Sequence, residues 1–188
     1  MQNLITILFT LITSLASQPY GATPDPEAER VRLMGIATDI ATVSTATPIY
    51  NGPRAAEATA LTLVAVAQTE SGFWGKVQDC SVCYHGSQWC DRGRSVTIYQ
   101  LQGPVAWGNY TREQLCTNNR LATERAHAIL YRFRTSASTV ALFDAYMRGG
   151  QLRLLPSKGA RQKDKALQYH LGKRGIRLSW RNGGMWAE

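Results

Sequence analysis

The sequence predicts an α+β protein that is predominantly α-helical, with one small β region. Three observations point to this. The stretch from Ala55 to Thr69 is an almost unbroken run of Ala, Leu and Val, four further stretches carry helical periodicity or helix-start residues, and a single short β-branched run, Val96 to Leu101, sits beside a long aperiodic segment. A length of 188 residues at 44% apolar composition suffices for one core of ordinary size, so one domain with tails is expected.

The chain opens with "MQNLITILFTLITSLASQPYGA". Its apolar stretch from Leu4 to Leu15 and its small-residue exit give residues 1–22 the look of a signal peptide or N-terminal anchor, although no basic residues precede it. It is short for a transmembrane span, and a buried helix is the plain alternative. Residues 23–52 read as a linker and an N-terminal helix. "PYGATPDPEAE" at 19–29 is Pro-rich and acidic, and Pro26 followed by Glu27 and Glu29 suits a helix start. Val31, Met34, Ile36, Ile40 and Val43 continue it to Thr45.

The core is assigned to residues 53–150. Pro53 opens the central helix, whose Leu61, Leu63, Val64, Val66 and Ala67 leave little polar surface, and which runs directly into Glu70. Residues 71–93 read as a long ordered loop, and Val96 to Leu101 as the strand. "TREQ" at 111–114 has capping-box spacing ahead of a helix from Leu115 to Arg134. Ser138 opens another helix, stopped by Gly149 and Gly150. Residues 151–188 form a basic C-terminal extension, helical between Lys163 and Leu171, packing on or flanking the core.

Charge is concentrated in that extension. Residues 152–181 hold nine Lys and Arg against one acid, Asp164, while the rest of the chain balances at 12 and 12. Such a segment suits an anionic envelope polymer or is simply a solvated surface. Nucleic acid ranks low as a partner because no nucleic-acid fold signature accompanies the charge. The four cysteines, Cys80, Cys83, Cys90 and Cys116, suit two disulfides with three connectivities open, and hence an oxidising compartment. Zinc is the rival, with His85 as a further ligand, but only one CxxC pair is present. No metal and no cofactor is expected.

Two carboxyls stand out for chemistry. Glu70 ends an apolar helix, where a negative charge opposes the helix dipole and where partial desolvation would favour a protonated general acid. Asp91 lies in "WCDRGRSVTIYQLQ", residues 89–102, between a turn and the β-branched run. A glycosidase needs such a pair, one to protonate the leaving oxygen and one to activate water or stabilise the transition state. The plain alternatives are a solvated helix-end Glu and a turn Asp paired with Arg92 or Arg94. Trp74, Trp89 and Trp107 offer faces for sugars, Trp107 best placed, though each suits a packed core equally well. His85 and His127 read as loop and helix-surface residues.

"ES" at Glu70–Ser71, "WCDRGRSVTIYQL" at 89–101 and "AYMRGG" at 145–150 resemble the three signature stretches of goose-type lysozymes and soluble lytic transglycosylases. The resemblance covers roughly residues 55–150 and lies in the combination of motifs. It implies a lysozyme-like fold with the β region beside the active-site cleft, and an exported protein (periplasmic, extracellular or virion-associated). The implied activity is cleavage of the β-1,4 bond between N-acetylmuramic acid and N-acetylglucosamine in peptidoglycan glycan strands. By position it implies Glu70 as general acid, with Ser71 completing the Glu-Ser pair, Asp91 as second carboxylate, and Gln100 and Tyr146 on the substrate side, with Tyr146 able to orient the carboxyl. Trp107, which follows Gln100 and Gln102, is a further substrate-binding candidate outside those motifs. A monomer is implied outside a virion or secretion assembly. A lytic transglycosylase, or a non-catalytic wall-binding module on the same fold, is the alternative. Thr97 departs from the family's Gly and is expected to narrow the cleft. Met147 departs from its Asn and removes a sugar contact.

Overall fold

The computed structural model describes residues 1–16, 25–85, 88, 90–148, 156–181 and 183–188, with Pro104 described in its backbone only. Trp89, Gly149 and Gly150, most of the Pro-rich linker and the start of the basic segment lie outside these residues.

The architecture is mainly helical with two small antiparallel sheets. In chain order it runs α1 (Gln2–Leu15), α2 (Pro26–Ala46), α3 (Ala55–Ser71), α4 (Gly75–Gln78), β1 (Ser95–Val96), β2 (Leu101–Gln102) and α5 (Gly103–Trp107). Then follow α6 (Arg112–Thr117), α7 (Asn119–Arg132), α8 (Thr139–Met147), α9 (Lys158–Lys173), β3 (Leu178–Arg181) and β4 (Gly184–Ala187).

Helix α3 is the centre, as its composition dictates. Every residue from Ala58 to Ala67 is buried, and α1, α2, α7 and α9 pack around it. Its two inward threonines are satisfied: Thr59 accepts from the Ile49 amide and Thr62 shares a hydrogen bond with the Tyr50 hydroxyl. Gly72, at φ +57°, ends the helix in the left-handed conformation that glycine takes most readily.

Five helices start at a side-chain cap, whereas α1, α3 and α4 do not. Asp25 accepts from the Glu27 amide ahead of Pro26, Thr111 and Gln114 form a reciprocal capping box, and Ser138 and Ser157 cap α8 and α9. One cap changes the expected layout. Asn118 accepts from the Leu121 amide, so the helix expected from Leu115 to Arg134 is two helices, α6 and α7, meeting at that residue.

The expected strand from Val96 to Leu101 is instead a tight hairpin. Ser95 pairs with Gln102 and Val96 with Leu101, and Thr97 to Gln100 turn back on themselves through a Gln100 amide bond to the Thr97 carbonyl. Ile98 and Tyr99 are apolar because the turn itself is driven into the core, where both are fully buried. Thr97 sits at φ +65° and is also buried, its hydroxyl accepting from the Tyr99 amide. It therefore does not narrow the cleft.

The ends of the chain are integral to the core. Helix α1 lies along α2 with Leu8 and Ile12 fully buried, and no helix among the described residues is long and apolar enough to cross a membrane. Helix α9 inserts Ala160, Leu167 and Leu171 against α3 and α8. The unforeseen β3–β4 hairpin hydrogen-bonds Asn51 and Arg54 through Met185 and Ala187, closing the start of α3.

Candidate functional site

A cleft of about 650 Å³ opens where the end of α3, the β1–β2 hairpin, α5, one face of α7 and the end of α8 converge. Glu70, Asp91, Gln100 and Tyr146 all line it. Ser71 and Trp107 do not. The Ser71 hydroxyl donates back to the Ala67 carbonyl and accepts from the Phe73 amide, so it closes the helix end. The Trp107 indole N–H donates to the Leu101 carbonyl and pins α5 to the hairpin. Trp74 is buried with Val77, Cys83 and Cys90 in a small separate cluster.

Glu70 is held by a residue that sequence reasoning passed over. Its carboxylate lies 2.7 Å from the Lys163 ammonium, and the side chains are 22% and 3% exposed respectively. The expected acid in an apolar pocket is thus an ion pair whose cation is sealed inside and whose anion reaches the cleft. The pattern carried a signal for this: Ala160, Lys163, Leu167, His170 and Leu171 recur at helical spacing, which places Lys163 on the buried stripe of α9. A lysine on an apolar stripe calls for an internal carboxylate.

Asp91 is positioned by an unusual turn. Cys90, Asp91 and Arg92 all take positive φ, and Gly93 follows at +81°. A side chain at Gly93 would stand 2.2 Å from the Tyr84 carbonyl oxygen, so only glycine lets the Tyr84–His85 segment lie on this turn. Arg112 donates to the Gly93 carbonyl from outside. The Asp91 carboxylate accepts from the Ser95 hydroxyl at 2.8 Å and more weakly from the Gln102 amide at 3.4 Å, both on Oδ2. The Arg94 guanidinium goes to the Asp91 main-chain carbonyl rather than to its carboxylate.

The disulfides brace this region. Cys80 is bonded to Cys116 and Cys83 to Cys90, which selects one of the three connectivities and clamps the residue preceding Asp91. All four sulfurs are committed, leaving none of the thiolates that the zinc alternative needs, and His85 is an exposed loop residue. Two disulfides suit an oxidising compartment outside the cytosol.

Gln100 turns its amide nitrogen to the Thr97 carbonyl, leaving its amide oxygen for other partners. The Tyr146 hydroxyl donates to the Tyr99 carbonyl at 2.8 Å, so its single proton ties α8 to the hairpin instead of orienting Glu70. Burial first, then the charge of Glu70 and the neighbouring Tyr99, hold the Tyr146 phenol well above its ordinary range. It stays neutral in the working pH range. Met147 lies on the cleft wall, 41% exposed.

Three arginines complete the wall: Arg125 and Arg132 from α7 and Arg148 from the end of α8. Arg148 is paired with the buried Asp144 at 3.0 Å. Burial pushes the Asp144 carboxyl upward, but bonds from Ser157 and Arg148 outweigh it and hold the group below the usual carboxylate range. Comparison of the chain with protein-family models, with curated proteins and with solved structures finds no match.

Proposed function

We propose that this protein cleaves peptidoglycan glycan strands at the β-1,4 bond between N-acetylmuramic acid and N-acetylglucosamine, on a lysozyme-like fold, after export from the cytosol. One observation carries the reading: Glu70, Asp91, Gln100 and Tyr146, singled out from separate stretches of sequence, line one cleft. Glu70 is the general acid. The acting form is protonated: its proton passes to the glycosidic oxygen as the bond breaks, and the ion pair with Lys163 at 2.7 Å is the form that Glu70 takes once the proton has left. Asp91 is the second carboxylate. Both of its hydrogen bonds fall on Oδ2, which leaves Oδ1 to position a water and gives hydrolysis.

The same bonds favour a second version. A carboxylate tied to Ser95 and Gln102 is partly engaged, and if the muramyl 6-hydroxyl attacks in place of water the product is the anhydro sugar of a lytic transglycosylase. Mass spectrometry of digested sacculi separates the two, since anhydromuramyl ends arise only from the intramolecular attack. Glu70→Gln, assayed for lysis of purified cell walls well below its melting temperature, tests the reading itself. At least a hundredfold loss is expected from removing a general acid, about the lower bound of such effects. Unchanged lysis, or no lysis by the parent protein, refutes the mechanism.

A further inference from the structure

We propose that the cleft selects glycan strands bearing free carboxylates beside the scissile bond, and that Arg125 and Arg132 read those carboxylates. The inference rests on the peptidoglycan reading above and specifies its substrate class. Arg125, Ala128, Ile129 and Arg132 stand at positions i, i+3, i+4 and i+7 of α7, and all four line the cleft. The helix therefore presents a wall with an apolar middle and a guanidinium at each end.

The other described cations here are already neutralised. Lys163 faces Glu70 and Arg148 faces Asp144. Arg125 and Arg132 have no carboxylate partner among the described residues. Arg125 uses its Nε to reach the Ala106 carbonyl at 3.1 Å, which leaves both terminal nitrogens for a ligand. Its guanidinium lies over Gly108, where a Cβ would come within 2.7 Å of the guanidinium carbon, so a side chain at 108 would displace it. Arg132 is exposed, its guanidinium 5.7 Å from the Phe133 ring on the same wall. Among the described residues, the one carboxylate left unmatched by a cation in the cleft is Asp91. Two unmatched guanidiniums against one carboxylate favour an anionic ligand, and the planar fork of arginine suits a carboxylate held in two bonds. Ala128 and Ile129 between them suit the apolar face of a sugar or an alanyl methyl better than a continuous run of phosphates. Peptide stems on muramic acid supply free carboxylates next to the glycan backbone.

The experiment compares native sacculi with sacculi whose free carboxyls have been amidated by carbodiimide and ammonia. Cleavage rate and cosedimentation are both read at low and at physiological salt. The parent protein is expected to cleave and bind the native material about tenfold better, the effect of one charge-assisted hydrogen bond, with the preference shrinking in salt. In Arg125→Gln/Arg132→Gln the ratio falls to about one, and Arg132→Gln alone, at an exposed site, lowers it without endangering the fold. Equal handling of both sacculi by the parent protein, or an undiminished preference in the double variant, overturns the inference. If no bond is cleaved, the peptidoglycan-cleavage reading fails, while cosedimentation still reads the charge preference. Tight, salt-steep binding to duplex DNA with no sacculus preference would assign the arginines to nucleic acid and overturn it as well.

Discussion

The Glu70–Lys163 pair makes an asymmetric prediction. Removing one partner of a buried ion pair costs roughly 3–5 kcal/mol because the other charge is left uncompensated. The two charges here are not equally enclosed, since Lys163 is 3% exposed and Glu70 22%. Glu70→Gln strands a sealed ammonium against a neutral amide, so a loss near the lower end, about 3 kcal/mol, is expected. Lys163→Met strands a carboxylate that water already reaches from the cleft, and the methionine fills the path of the lysine stem. Its cost is expected at about 1–2 kcal/mol. At roughly 2–4 °C per kcal/mol for a chain of this size, melting falls by about 6–12 °C in the first variant and about 2–8 °C in the second. The double variant Glu70→Gln/Lys163→Met carries no buried charge at either position and should melt above Glu70→Gln alone. Thermal unfolding of the three variants checks this. Equal or reversed costs for the single variants, or simple additivity in the double, would refute the account of Lys163 as the enclosed partner.

Other expectations concern the brace, the buried histidines and the turn. Loop entropy assigns about 4 kcal/mol to the Cys80–Cys116 bond, which closes 36 residues, and about 2 kcal/mol to Cys83–Cys90, which closes 7; denaturant unfolding of the two Cys→Ala pairs should reproduce that order. Burial depresses both His127 and His170 below the ordinary imidazole range, in His127 against a bond to the Thr47 carbonyl that works the other way. The unfolded chain takes up those protons near pH 6.5 while the folded one does not. Stability is therefore full above that pH and falls as pH drops below it, by at most about 1.4 kcal/mol per pH unit for each histidine. Denaturation between pH 7.5 and 5.5 should show the slope and His170→Gln should reduce it to the share of His127; a stability that rises on acidification would refute it. Gly93→Ala places a Cβ 2.2 Å from a backbone oxygen at φ +81° and should cost more than about 2 kcal/mol, because neither backbone segment can yield cheaply. A melting temperature within a degree of the parent would show that the Tyr84 segment moves freely.

Helices were legible wherever local chemistry decides them. Pro26 with Glu27 and Glu29, the Thr111–Gln114 box and Ser138 act within a few residues of themselves, so sequence alone locates them. The β region was misread for an equally physical reason. Apolar β-branched runs mark burial, and in Val96 to Leu101 burial comes from a turn pushed into the core, with Thr97 and Gln100 at positive φ that no sequence pattern announces. The pairing of the cysteines depends on where α6 lies relative to the loop, which is tertiary information. Glu70 and Asp91 were identifiable as residue types in a motif, but their hydrogen-bond partners, Lys163 and Ser95, were not. Tyr146 lines the cleft, but its hydroxyl bonds to the Tyr99 carbonyl and not to Glu70, a partner fixed by tertiary packing.

Lys163 also changes what the basic segment is. Its nine cations suggest a surface appendage, yet one of them is among the most buried charges of the described residues and touches a carboxylate that lines the cleft. Others are used structurally: Arg174 reaches Glu57 near the start of α3, and Arg181 pairs with Glu188 across the terminal hairpin. Helix α9 cannot present Ala160, Leu167 and Leu171 to α3 without also presenting Lys163, because all lie on one stripe. Folding of the C-terminal segment and completion of the site are therefore the same packing event. An extension that packs on the core thus also reaches the cleft, where Glu70 takes its counter-charge from Lys163.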